Sequence, residues 1–281
     1  MNKQSLVKFR HVLPVLLTVT AVALLPGCAA PNIDKFGGVT ARLDTETSSI
    51  GYPLDDYVLV GREAQKIERA DELLFSRCVT KFGFTAPITN WVEHLDIPNR
   101  QYGIWTMKQA TTWGYGLPTN PTMEQEKITY PATVQKMSDD AFRACRSSPE
   151  ELPAMRPHSS NPNQPSIVDR GYIDAWIQAM GNSEWRAIRE KWVACIGQRH
   201  LKPYSGDSLG PELPQDDLEA QMKIALVDVE CKISLGTVQQ LADIESRYQA
   251  AYIEANQAAL NEARKKARDV LAKAERIIAG E

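Results

Sequence analysis

Apolar residues recur every three or four positions through most of the chain beyond residue 60, which is the spacing of one face of an α-helix. The pattern predicts helices over 61–82, 132–146 and 183–198, and a further helix from Asp216 and Asp217 to about Leu235, with Gly236 as its stop. Alternating strand patterns are nearly absent. The sequence therefore predicts an all-α fold, a helical bundle.

The longest pattern belongs to a predicted C-terminal helix. Its apolar positions follow a 3-4-3-4-3 spacing, slip by one residue and then resume: Leu241, Ile244, Tyr248, Ala251, Ala255 and Ala258, then Ala263, Ala267, Val270, Ala274 and Ile277. A nearly straight helix that drifts against a seven-residue repeat predicts such a slip. Alanine buries little area, so this helix either packs on its own body or binds a partner.

The N-terminus carries three basic residues and then an uncharged apolar run, Val12 to Leu25, of 14 residues. A membrane-spanning helix needs about 20 apolar residues, so residues 1–27 are predicted to be a secretory signal. Leu25-Pro26-Gly27-Cys28 resembles a bacterial lipobox, although Pro26 is unusual there, and predicts acylation of Cys28. The alternative is an ordinary signal, with Cys28 a bystander or a disulfide partner.

Four of the five cysteines remain if Cys28 carries lipid, and an even number in an oxidising compartment predicts disulfides. The remaining four are Cys78, Cys145, Cys195 and Cys231. No C-x-x-C pair occurs and their separations do not fit zinc ligands, so no metal site is predicted. LFSRCVTKFG at 74–83 and WVACIGQRH at 192–200 each precede another cysteine-bearing helix, which favours Cys78–Cys145 and Cys195–Cys231 among the three possible connectivities.

Beyond residue 27 the chain has 29 basic and 35 acidic residues, a formal charge of −6. This balance argues against a nucleic-acid partner and against electrostatic adhesion to anionic lipid, so the acyl chains must hold the protein at the membrane. Residues 28–56 are rich in Gly, Ser, Thr and Pro and predict a flexible tether. The helical ectodomain would occupy 57–281, in two weakly similar halves, about 57–160 and 161–281.

Short motifs along the mature chain carry a family resemblance. They are CVTKFGF at 78–84, RQYGIWTMKQATTWGYGLP at 100–118, WVACI at 192–196 and DVECK at 228–232, followed by the long terminal helix. The chain thereby resembles an uncharacterised group of actinobacterial cell-surface lipoproteins with a four-cysteine helical ectodomain. The resemblance implies location and disulfides but no activity and no functional residue.

Two sequence features raise candidate sites. Gly206-Asp207-Ser208-Leu209 is the nucleophile tetrapeptide of GDSL-type hydrolases, but their partner motifs do not follow and the histidines outside the signal are few (His94, His158 and His200). A turn before a helix explains it better, so no enzyme is predicted. Five aromatic residues either form a carbohydrate- or peptide-binding surface or cap the bundle: Trp91, Tyr102, Trp105, Trp113 and Tyr115.

The sequence thus favours a lipid-anchored binding or scaffold module on the extracytoplasmic face of the cell membrane, accessory to an envelope transporter or cell-wall complex. No cofactor is predicted. A solute-binding lipoprotein of a transporter is the alternative, although such proteins usually show βαβ patterning, which is missing here. A GDSL-type hydrolase is the third class.

Overall fold

The computed structural model describes residues 31–86, 98–117, 137–146, 152, 165–206 and 208–280. These residues are mostly helical, so the predicted all-α fold is confirmed. No described helix is both long and apolar enough to cross a membrane. The described helices are α1 (Arg62–Thr80), α2 (Met107–Thr112), α3 (Asp139–Arg146), α4 (Ile167–Gly181), α5 (Ser183–Gln198), α6 (Leu218–Leu235) and α7 (Thr237–Ala279).

Polar caps and one left-handed glycine set the helix boundaries in the second part of the chain. The Asn182 side chain accepts from the Glu184 amide and separates α4 from α5. The Asp217 carboxylate accepts from the Ala220 amide and begins α6. Gly236, with φ of 59°, ends α6 and allows α7 to start at once. The predicted start and stop of α6 are therefore confirmed.

The main core forms where α4 and α5 pack against the first half of α7. Trp185 and Trp192 of α5 are fully buried there, together with Leu241 and Ile244 of α7. Gly171 permits the close approach of α4, because a Cβ atom at this position would lie 2.7 Å from the Tyr252 ring. Burial of such large apolar side chains is the main favourable contribution to folding.

The second half of α7 packs on α1 instead. Leu271 and Ile277 share an apolar cluster with Ile67 of α1, so α7 packs on its own body, the first of the two predicted alternatives. The backbone leaves helical geometry at Asn256 (φ −125°, ψ 18°), close to the predicted slip. The slip therefore marks a break rather than gradual drift.

The break also changes which alanines are buried. Ala255 and Ala258, which the sequence pattern placed on the apolar stripe, are exposed, and the buried face resumes at Leu260. The stripe prediction is wrong over this turn because the kink turns the face of α7. Since α7 contacts helices from both predicted halves, residues from Pro31 onward form one compact unit.

The predicted flexible tether is wrong for residues 31–56. Strands β1 (Arg42–Asp44) and β2 (Ser49–Gly51) pair antiparallel, and 3₁₀ helices occupy Asp34–Phe36 and Pro53–Tyr57. Leu54 is fully buried in the main core, and its backbone amide donates to the side-chain Oε1 of Gln249 in α7 at 3.1 Å. A few apolar anchors thus fix a segment whose overall composition suggested a coil.

Both predicted disulfides are present. Cys78 of α1 bonds Cys145 of α3, and Cys195 of α5 bonds Cys231 of α6, with Cα–Cα distances of 5.7 and 5.9 Å. One turn before the second bond, the Trp192 indole N–H donates to the Asp228 carboxylate at 2.9 Å. The two contacts advance in the same direction along both helices, so α5 and α6 run locally parallel, as the long connection between them allows.

The two disulfides are expected to stabilise different parts of the molecule. They close loops of 67 and 36 residues, and loop entropy gives each about 4 kcal/mol. Replacing Cys195 and Cys231 by serine should lower the global free energy of unfolding, because α5 and α6 frame the main core. Replacing Cys78 and Cys145 should mainly release α3, which packs on α1.

Amide hydrogen exchange of the two double variants tests this division. In the Cys78/Cys145 variant, protection should be lost in 139–146 and kept in α5. Equal loss of protection in α5 in both variants would contradict the assignment.

Candidate functional site: a cavity beside alpha 4

A cavity of about 530 Å³ lies where three segments distant in sequence meet. One wall comes from Arg100, Gln101, Gly103 and Tyr115. A second comes from Trp176 and Met180 of α4, and a third from residues in 204–213. Its volume is within the range of small-molecule sites, about 300–1,000 Å³. This is the candidate site, and it is called the α4 cavity below.

Three aromatic residues, Tyr115, Trp176 and Tyr204, line the α4 cavity. Trp176 is held from behind by an edge-to-face contact with Trp185, with ring centroids 6.1 Å apart, and by Tyr102 at 5.7 Å. Tyr204 is 60% exposed and lies at the cavity. A ring fixed by the core, with a second accessible ring nearby, suits stacking on a planar ligand.

Arg100 is the one charged side chain among the described residues that line the cavity. Its Nη1 donates to the Tyr115 carbonyl at 2.7 Å, and its Nη2 donates to the Gly116 carbonyl. Each terminal nitrogen carries two N–H groups, so both retain one for a further acceptor. Burial lowers the pKa of Arg100, but a guanidinium stays charged near neutral pH.

A buried ion pair on α6 lies behind the cavity. The side chains of Asp228 and Lys232 are 0% and 1% exposed, and Lys232 Nζ lies 3.0 Å from the carboxylate. Nζ also donates to the carbonyls of Ile104 and Leu209, each at 2.7 Å. All three ammonium N–H groups are therefore satisfied. Of the two carbonyl-bearing residues, Leu209 lines the cavity and Ile104 follows the lining residue Gly103.

The Asp228 carboxylate of this pair also binds two side chains from other segments. Its carboxylate accepts from the Tyr115 hydroxyl at 3.0 Å and from the Trp192 indole. Burial raises the pKa of Asp228, against the effects of Lys232 and the two other donors, and burial lowers the pKa of Lys232. A pair with this many partners keeps its charges inside the protein.

The loop 201–213 is held at two further points. A bridge between Pro203 and Pro211 and the bond from the Tyr204 amide to the Gly210 carbonyl, 2.8 Å, fold it back on itself. Arg189 of α5 donates to the carbonyl of Gly206 at 2.6 Å. These contacts hold in place the loop that forms the third wall of the cavity.

A second buried acid, Glu245 of α7, lies next to the cavity residue Gln101. Its carboxylate accepts from the Gln101 amide at 2.5 Å, from the Tyr102 hydroxyl at 2.8 Å and from the Gln249 amide at 3.1 Å. Burial raises the pKa of Glu245 to about 7, although these donors favour the charged form.

The predicted aromatic surface is not observed as a unit. Tyr102 and Trp105 are 0% and 4% exposed and belong to the core, so they are not available for stacking with a ligand. Trp113 is half-buried at the end of α2, and Tyr115 lines the cavity. Trp91 and Cys28 lie outside the described residues.

Ser208 of the GDSL tetrapeptide lines the cavity, whereas Asp207 lies outside the described residues. His200 is exposed, and within the described part of the chain no histidine bonds the Ser208 hydroxyl. His94 and His158 also lie outside that part.

Sequence reasoning missed Arg100, Trp176, Asp228 and Lys232 as site residues. The signal for the last two was available, because an acid and a base four residues apart in the apolar run of α6 indicate a buried pair.

Comparison with known protein families, curated proteins and solved structures gives no significant match for this chain. Its function is therefore inferred from the cavity, the cysteines and the N-terminal sequence.

Lys232→Met should be strongly destabilising. It leaves the Asp228 carboxylate and two carbonyls buried without their donor, which costs about 3–5 kcal/mol. Urea unfolding at neutral pH measures the loss. The Asp228→Asn/Lys232→Met double variant should recover part of it, because no buried charge remains.

Lys223→Met, on the same helix, is the matched control. Lys223 pairs with Glu219 in the solvent, so its loss should change stability by less than about 1 kcal/mol. A similarly small change for Lys232→Met would contradict the role of the buried pair.

Glu245 should make the protein less stable as pH rises. Its pKa is raised from 4.5 to about 7, so between these values the folded chain holds a proton that the unfolded chain has released. The stabilisation is complete below pH 4.5 and falls by about 3 kcal/mol as pH rises through 7.

Urea unfolding of the wild type and of Glu245→Gln, at about pH 5 and about pH 8, measures this dependence. The variant should lose that component of the pH slope. Glu254→Gln, on the exposed surface of α7, should keep the wild-type slope. The same slope in all three proteins would disprove the assignment.

Proposed function

We propose that the protein is a lipoprotein anchored through Cys28 to the extracytoplasmic face of the cell membrane, where its helical body acts as a binding or scaffold module. The observation that carries this proposal is the pairing of the other four cysteines in two disulfides. Such bonds persist in oxidising compartments outside the cytoplasm. The pairing leaves Cys28 free to receive lipid.

The N-terminal sequence supports the same proposal. A basic head, an apolar run of 14 residues and the lipobox-like Leu25-Pro26-Gly27-Cys28 stand before the folded unit. Acyl chains contribute about 0.8 kcal/mol per buried methylene, so two or more of them hold a protein on a membrane without a spanning helix. The resemblance to actinobacterial cell-surface lipoproteins implies this location too.

The α4 cavity supports a binding role for the folded unit. An accessory of an envelope transporter or a cell-wall complex fits a body with a fixed recess and an anchored end. A solute-binding lipoprotein of a transporter is the second candidate, and the volume of the cavity favours it.

Acylation of Cys28 tests the anchor. Wild-type protein from its native cells should carry diacylglyceryl and acyl mass on a mature chain that begins at Cys28, and should sediment with membranes. Cys28→Ser should lose the acyl mass. The Cys195→Ser/Cys231→Ser variant is the control and should keep the acyl mass.

An unmodified Cys28 in the wild type, or free thiols at the four paired cysteines, would disprove this proposal. Crosslinking on intact cells tests the scaffold role, which predicts co-purified envelope proteins. Recovery of the uncrosslinked protein alone would count against that role.

A further inference from the structure

We propose that the α4 cavity binds a small planar aromatic carboxylate, with its ring against Trp176 and Tyr204 and its carboxylate on Arg100. This inference rests on the proposed binding role but not on the anchor at Cys28. It assigns a ligand class to the cavity from the shape, the polarity and the charge of its lining.

The lining favours an apolar, flat ligand body. Trp176, Met180 and Leu209 present apolar side chains to a space of about 530 Å³, which accommodates a bicyclic ring system. Tyr204 and Leu213, 60% and 37% exposed, leave the mouth open to solvent. Aromatic side chains on two walls offer a planar ring offset-stacked or edge-to-face contacts that a flexible chain does not form.

The charge of the lining favours an anion. Arg100 contributes the one formal charge among the described lining residues, and its two terminal nitrogens each keep an N–H for an acceptor. Two such donors match the two oxygens of a carboxylate. A cationic ligand would meet Arg100 with no lining carboxylate to offset it.

The nearby acids do not cancel this preference. Asp228 is paired with Lys232 behind the wall, and the Glu245 carboxylate is directed to Gln101, Tyr102 and Gln249 rather than into the recess. Neither acid lines the cavity. The positive charge at the recess is therefore local, although the whole chain is acidic.

The walls are fixed before any ligand arrives. Lys232 joins the carbonyl of Ile104, which follows the lining residue Gly103, to that of the lining residue Leu209, and Asp228 accepts from the hydroxyl of Tyr115. A site whose loops are already ordered loses less conformational entropy on binding. This arrangement suits a ligand-binding recess better than a gap between loosely packed loops.

Isothermal titration calorimetry with naphthoate and naphthamide tests the proposal. The two compounds share the ring, and naphthamide lacks the charge. The full chain is titrated in phosphatidylcholine nanodiscs, with empty nanodiscs as the blank. If the chain proves not to be acylated, the same titration runs in buffer, so failure of the anchor and failure of the cavity remain distinguishable.

Naphthoate should bind with one site per chain and about tenfold or more tighter than naphthamide. Arg100→Gln should reduce the affinity for naphthoate to that for naphthamide and leave the latter unchanged. Tyr204→Ala should weaken both compounds by a similar factor, about threefold or more. Arg199→Gln and Phe82→Ala, on exposed residues outside the lining, are the matched controls and should bind as the wild type does.

Ser208→Phe places a ring inside the recess without removing a described side-chain hydrogen bond, and it should abolish binding of both compounds. It keeps the test decisive if Arg100→Gln disturbs the carbonyls of Tyr115 and Gly116. Equal affinity for the two compounds would overturn the anion assignment. Binding that survives Ser208→Phe, or no binding of naphthoate at millimolar concentration, would overturn the site.

Discussion

The buried pair of Asp228 and Lys232 determines how the loops of this protein are arranged. Removing two charges from water is costly, and apolar residues of similar volume often replace such pairs without loss of stability. Here an apolar replacement would leave the carbonyls of Ile104 and Leu209 without a donor. The Lys232 ammonium therefore binds α6 to two loops that have little regular structure of their own.

Sequence periodicity predicted the helices whose outer faces are charged. The number of cysteines, together with the similarity of 74–83 to 192–200, predicted both disulfides. Periodicity did not predict α4, because Ile173 and Ile177 are apolar residues on its exposed face and obscure its apolar stripe. The segment 31–56 was also misread. Its composition is that of a coil, but Tyr52 and Leu54 are buried, and Leu54 binds Gln249 of α7, 195 residues away in the chain. Local composition does not indicate such a distant partner.

The cavity was beyond sequence reasoning for a related reason. Its walls come from three segments separated by tens of residues, and only tertiary packing brings Arg100 near Trp176. Aromatic residues were noticed where they cluster in sequence, yet two of the four described ones, Tyr102 and Trp105, are buried, and of the aromatic lining residues Trp176 and Tyr204 come from elsewhere. Lysine is also among the residues least expected in a core, so Lys232 was not considered as a site residue.

The break at Asn256 divides α7, the longest described helix, into two parts. One end packs in the α4–α5 core and the other against α1, and the backbone between them leaves helical geometry at Asn256. Side chains make contacts just beyond the break. Gln257 donates to the Tyr57 hydroxyl, and Arg264 lies 5.3 Å from the ring centroid of Tyr57. The main core extends past the break to Leu260 of α7, and packing of such side chains with Tyr57 adds to the connection between the two regions.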